Sequence, residues 1–227
     1  MLSKIRSLPY FNSALILLLT LLLAVTLYGL RLAKTGAVTY HFLLWNSFLA
    51  GIPLLLAWGL HLGFARRLKH PLAIVLLLSW LAFFPNAPYV LTDLIHLRPR
   101  HGIPLWYDAL LLFCFCHTAL WAGFLSLRVV HDLVQINLGP RLGWAFVFLV
   151  ILASAYGIYL GRFYRFNSWN LLTEPLQIIW VFFDHLSMPL KHLRVFGITG
   201  VLTVFLLGGY LFLVSFGRSN APMARTN

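Results

Sequence analysis

Acidic side chains are nearly missing from this chain: five Asp and Glu stand against 17 Lys and Arg in 227 residues, and only 10% of positions are charged. A soluble domain carries about a quarter charged residues, so a water-facing globular fold is excluded. Cysteine is scarcer still. Cys114 and Cys116 sit two apart in an apolar run, and on a helix they point about 200° apart, which rules out a disulfide framework. Cys114 and His117 share a helical face, but two ligands do not make a metal site, so no metal is expected and both cysteines read as packing residues. The chain also lacks HExxH, GxSxG, P-loop and CxxC sequences. With them go the common signatures of metallohydrolases, serine hydrolases, nucleotide enzymes and thiol redox sites, and no cofactor is expected. The net charge of +12 comes without a Lys/Arg-rich tract or a nucleic-acid-binding module, so nucleic acid is not an expected partner.

What the chain has is apolar length, with 61% hydrophobic residues. A hydrocarbon core of about 30 Å needs about 20 helical residues. Runs of that kind fall near 11–30, 41–62, 71–84 with a continuation, 107–127, 143–161, 175–190 and 196–216. The sixth is interrupted by Glu174, Pro175, Asp184 and His185. No soluble domain fits between them. The fold class is therefore all-α: a single integral membrane domain over residues 1–227, a polytopic transmembrane helix bundle of six or seven spans, with the lipid bilayer as its partner. Oligomeric state is not encoded in the pattern. The basic start and long first apolar run, without a small-x-small cleavage site, read as an uncleaved first span. The polar tail "GRSNAPMARTN" reads as disordered. Lys and Arg totals nearly balance across seven spans, but Lys4, Arg6, Arg66, Arg67 and Lys69 gather on one side, which favours an N-terminus inside.

One stretch breaks the apolar pattern: "FPNAPYVLTDL", Phe84 to Leu94. The helix before it, from Leu72 to Phe84, would be about 20 Å long, too short to cross. Pro85 and Pro88 lack an N–H and disfavour helical geometry at the residue before, so Phe84 and Ala87 are expected to be extended and the third span broken at the Pro-Asn-Ala-Pro motif. A second helix, with Asn86 as N-cap, is expected to run to about Leu97. On it Asn86, Tyr89, Asp93 and His96 fall within an arc of about 80°. Backbone freed by such a break must be buried in protein or line a wet cavity, and discontinuous helices build binding sites in many transporters. The competing reading is a kinked span whose Asp93 and His96 reach the headgroups.

Other polar residues gather on the same predicted outer face: Asp108 with Arg98, Arg100 and His101, then Arg162, Arg165, Asn167, Asn170 and Glu174. Arg162 and Arg165, three apart, would lie on one side of a helical extension and suit a phosphate or carboxylate. Equally, arginines at span ends anchor to headgroups beside aromatic residues, here Trp106, Tyr107, Tyr159, Tyr164 and Trp169. Asp93, Asp108 and Glu174 are placed either to pair with Arg98, Arg162 or Arg165, or to bind a proton, metal or substrate. The candidate polar site is thus Asn86, Tyr89, Asp93, His96, Asp108, Arg162, Arg165, Asn167, Asn170 and Glu174, with an anionic or lipid-like ligand. Ala153, Gly157 and Gly161 form a small-residue stripe for close helix packing. Asp184 and His185 read as interfacial, near the inner end of the sixth segment.

"FPNAPYVLTDLIHL", then "WYD", then "LGRFYRFNSWN" resemble the domain of unknown function 1361 family over about residues 35–215, with Asn170 standing where the family pattern commonly has an acid. The resemblance implies a multi-pass protein of the bacterial plasma membrane and no established activity. Three readings follow from the residues. The first is a small transporter or ligand-binding membrane component with a polar site at the outer face. The second is a membrane-embedded enzyme acting on a lipid or lipid-linked substrate through Asp93, His96 and Asp108. The third is a scaffold or assembly factor, whose polar residues would pair among themselves and leave no cavity.

Overall fold

The computed structural model describes residues 10–64, 68 and 70–218. The C-terminal tail and the basic residues Lys4, Arg6, Arg66, Arg67 and Lys69, on which the orientation leaned, lie outside them. Among the described residues, six helical segments are long and apolar enough to cross a membrane. They are α1 (Phe11–Thr35), α2 (Phe42–Phe64), a composite third segment, α5 (Leu105–Leu138), a fifth segment built on α6 (Pro140–Tyr159), and α9 (Leu193–Arg218). The third runs as α3 (Pro71–Phe83), α4 (Asn86–Tyr89) and a 3₁₀ segment, Val90–His96. The fifth continues from α6 into π-type turns over Leu160–Tyr164. Two short helices, α7 (Asn170–Thr173) and α8 (Pro175–Ser187), separate it from α9.

The local sequence explains most of these boundaries. Gly36 takes a left-handed φ of 65° and its N–H closes the end of α1 on the Leu32 carbonyl, the usual role of glycine after a helix. Pro71 and Pro140 open α3 and α6, where a missing N–H costs nothing. Gly139 alone joins α5 to α6, at a φ of 90° that favours glycine.

α8 departs from expectation. The sixth apolar run supplies 13 helical residues, about 20 Å at 1.5 Å each, so it does not span. Glu174 and Pro175 delay its start, and Met188, with a φ of −127°, stops it. With six such segments among the described residues, the end of α9 returns to the side on which α1 begins. Lys191 and Arg194 therefore belong to the same end of the bundle as Arg162. His185 moves with them: its ring is hydrogen-bonded at 2.9 Å to the hydroxyls of both Tyr156 and Tyr164, at the far end of the fifth segment.

α5 is the central pole. In its most apolar stretch 67% of residues are buried inside the protein, against 11% for α1. Trp80, Phe84, Leu127, Val130, Ile151 and Tyr210 meet around it in the larger core cluster. The Pro-Asn-Ala-Pro turn is wedged between α5 and α6 by small residues. A Cβ at Gly123 would stand 2.8 Å from the Ala87 Cβ, one at Gly157 3.7 Å from Pro85, and one at Gly161 3.1 Å from the Tyr89 ring. The Gly157 and Gly161 steps of the stripe thus serve as the seat for the third segment.

The turn itself corrects the sequence reading. Phe84 (φ −54°, ψ −40°) and Pro85 (φ −59°, ψ −23°) are both right-handed helical, and Ala87 lies inside α4. None is extended. Two prolines three apart remove N–H groups without forcing the chain out of helical space, because neighbouring turns tighten instead: the Ala87 N–H donates to Phe84 O rather than one residue further back. Asn86 is not an N-cap. Its side chain donates at 2.9 Å to Phe83 O, the carbonyl that the tightened turn leaves behind. The third segment is kinked and tightened, and the Phe83 carbonyl that it frees is satisfied by the Asn86 side chain.

Candidate functional site

The 3₁₀ winding of Val90–His96 decides which side chains meet. Residues three apart eclipse one another in this geometry, so Asp93 and His96 point the same way, as do Asn86 and Tyr89 in the turn before. All four line one cavity of about 350 Å³, together with Arg162 and Asn167 from the fifth segment and the loop after it. The opposite wall comes from α2, through Phe42, Trp45, Asn46 and Leu49, and Phe166, Ser168, Leu171 and Ile178 are also among the lining.

An ion pair forms the polar floor. Asp93 is 1% exposed; its Oδ1 accepts from Arg162 Nη2 at 2.7 Å and its Oδ2 from Asn46 Nδ2 at 2.7 Å. Arg162 makes four further contacts. Its Nε donates to Thr92 Oγ1 at 3.0 Å and its Nη2 reaches the same hydroxyl. Nη1 lies 3.4 Å from His96 Nε2, and the guanidinium carbon sits 4.6 Å from the centre of the Tyr89 ring. A guanidinium only donates, so His96 Nε2 accepts and the ring proton rests on Nδ1. Charge inside the cavity is balanced, and Arg162 is held on every side.

Asn86 links this floor to the loop after the fifth segment, its Nδ2 donating at 2.8 Å to Ser168 Oγ. The side-chain amide of Asn167 and the hydroxyl of Tyr89 face the cavity without a hydrogen-bond partner among the described residues. The site therefore offers fixed charge deep inside and free hydrogen-bonding groups toward an aromatic, apolar wall.

Four residues expected in the site are elsewhere. Asp108 is 1% exposed and engaged by Arg31 of α1, with Nε to Oδ1 at 2.7 Å, Nη2 to Oδ2 at 3.2 Å and the Tyr40 hydroxyl donating at 3.2 Å. It bolts α1 to α5. Arg165 does not join Arg162: the π-type turns end there, Arg165 takes a left-handed φ of 61°, and its side chain is exposed. Asn170 accepts from the Asn167 backbone N–H at 2.7 Å and donates to Glu174 at 3.2 Å, an exposed loop brace. Glu174 itself is exposed.

Three residues that sequence reasoning passed over do line or build the site: Asn46, Thr92 and Ser168. Asn46 carried a signal, as a lone amide inside the apolar second run. Thr92 sat inside the quoted motif. Cys116, read as packing, donates to Val90 O at 3.0 Å and so satisfies a carbonyl of the 3₁₀ segment. Among the described residues, no three His, Cys, Asp or Glu side chains gather closely enough to hold a metal ion.

Neither the curated proteins nor the solved structures contain a match to this chain. A family match does exist, over residues 45–208, which takes in α2 from Trp45 onward, the kinked third segment, α5, the fifth segment and most of α9. Every residue of the Asp93–Arg162 floor falls within it. On that match the chain belongs to the family described as "Protein of unknown function (DUF1361)".

Proposed function

We propose that this multi-pass membrane protein binds a small amphipathic, lipid-like molecule in the cavity above the Asp93–Arg162 pair, as a ligand-binding component or small transporter of a bacterial plasma membrane. The observation that carries the reading is the cavity: about 350 Å³ of space bounded by aromatic and aliphatic side chains on one side and by amides, His96 and Tyr89 on the other. Pockets of that size and mixed lining are what small ligands occupy. Because Asp93 matches the charge of Arg162, an anionic group would have to displace a buried carboxylate. The cavity favours a neutral or zwitterionic head with an apolar body.

Two alternatives are less well supported. A scaffold whose polar residues pair only with one another would leave no such space, yet the side-chain amide of Asn167 and the hydroxyl of Tyr89 face it without a hydrogen-bond partner among the described residues. A lipid-modifying enzyme using Asp93, His96 and Asp108 loses its third member, because Arg31 holds Asp108 in a separate buried cluster.

The test is extraction of the purified full-length protein with organic solvent and mass spectrometry of what is released. An amphiphile recovered from the wild type and lost from Asn167→Trp and Leu171→Trp, which fill the mouth without touching the ion pair, supports the reading. No released molecule, together with unchanged uptake and efflux in a strain carrying Asp93→Asn and Asn86→Ala variants that fold, defeats it.

A further inference from the structure

Arg162 also borders a second space on its other side. A groove of about 320 Å³ runs between the 3₁₀ segment, the end of the fifth segment and α9. Apart from Thr92 and Arg162, its lining is aliphatic or aromatic, including Ile95, Phe163, Ile198 and Leu202. Ile95 is 64% exposed and Phe163 42% exposed, so the groove opens outward at the surface of the bundle. A cation lies beside the groove, against one of its lining rings. Arg194 stacks its guanidinium carbon 4.4 Å from the centre of the Phe163 ring and has no acidic partner among the described residues. Arg194, Ile198 and Leu202 follow at four-residue steps along one face of α9, which places an exposed cation at the head of an apolar channel about 12 Å long.

We infer that this groove is a binding site for an anionic diacyl phospholipid, with the phosphate at Arg194 and one acyl chain along Ile198 and Leu202. The chemistry differs from that of the amide-lined cavity. There the arginine is matched by Asp93; here Arg194 is unmatched and stands at the first turn of a helix, where the backbone dipole adds to its attraction for an anion. The apolar walls formed by Ile95, Phe163, Ile198 and Leu202 leave room for an acyl chain. The site is distinct from the proposed ligand cavity and does not depend on it.

The experiment is native mass spectrometry of the delipidated full-length protein in neutral detergent, offered equal amounts of phosphatidylglycerol and phosphatidylcholine with identical chains. The wild type is expected to retain one lipid with a preference of about fivefold for phosphatidylglycerol, the scale of a single cation near a headgroup. Arg194→Gln, at an exposed position that leaves the fold alone, brings the two lipids to parity. Ile198→Trp, which fills the groove, loses both. Leu171→Trp, which blocks only the cavity, keeps the preference. Equal retention of the two lipids by the wild type, a preference that survives Arg194→Gln, or one that Leu171→Trp abolishes, overturns the assignment.

Discussion

Arg162 and Asp93 meet at 2.7 Å across the gap between the fifth segment and the kinked third, and each is the other's only charged partner among the described residues. Two crossings are thereby held together at the depth where α6 gives way to π-type turns. Removing one member strands a buried charge, which costs about 3–5 kcal/mol where such pairs have been broken. Asp93→Asn and Arg162→Gln are each expected to lower the thermal midpoint of the detergent-solubilised protein. The double variant should recover much of the loss. A double-mutant cycle on thermal unfolding checks this, and strict additivity of the two losses argues against the pair.

The Arg31–Asp108 cluster predicts a different pattern. Arg31 is 2% exposed and its Nη1 already has no hydrogen-bond partner, so Asp108→Asn leaves a fully buried guanidinium with weaker acceptors. α1 should detach first, since only 11% of its most apolar stretch is covered by the rest of the protein. Hydrogen exchange over residues 11–35 is expected to rise in Asp108→Asn, with α5 still protected.

At Gly123 a methyl group would come within 2.8 Å of the Ala87 Cβ, closer than van der Waals contact permits. Gly123→Ala should therefore push the Pro-Asn-Ala-Pro turn off α5 and destabilise by about 1–3 kcal/mol, the usual range for overpacking. Gly208→Ala, where nothing lies within 4 Å, is the matched control on α9 and should cost little.

His185 gives the protein a pH response at α8. Burial lowers its pKa from the ordinary 6.5, the neighbouring His192 lowers it further, and Asp184 opposes them. The folded state therefore prefers the neutral ring. Its contribution to stability is complete above about pH 6.5 and is lost as the pH falls below that value toward the depressed folded pKa, because there the unfolded chain binds the extra proton. Limited proteolysis near residues 165–190 should speed up on acidification, and His185→Gln should flatten that dependence.

The Pro-Asn-Ala-Pro motif was readable because it is local: prolines, an amide and an acid within eleven residues mark both a kink and a polar face, and Asn86, Tyr89, Asp93 and His96 do share a cavity. What local reasoning missed was the conformation, since tightened turns absorbed the prolines without an extended link. The Arg31–Asp108 pair was unreadable for another reason. Its members lie 77 residues apart, and nothing in the pattern of apolar runs says which side of α1 faces α5. The sequence left the count at six or seven because the apolar content of the sixth run suggested a crossing, while its helical length, cut by Pro175 and Met188, could not supply one. Asn46 shows the converse: a single polar side chain in a greasy helix was the one clue to the far wall.

α5 has 34 residues, about 51 Å of helix at 1.5 Å per residue. Even at the steepest common tilt of about 40°, some 39 Å of it projects along the membrane normal, against a hydrocarbon layer of about 30 Å. The central strut must stand proud of the oily layer at one end or both. Thinning or thickening the bilayer would thus be felt through the one helix that every other crossing leans on, and the tilt it adopts sets how far apart the two polar ends are held.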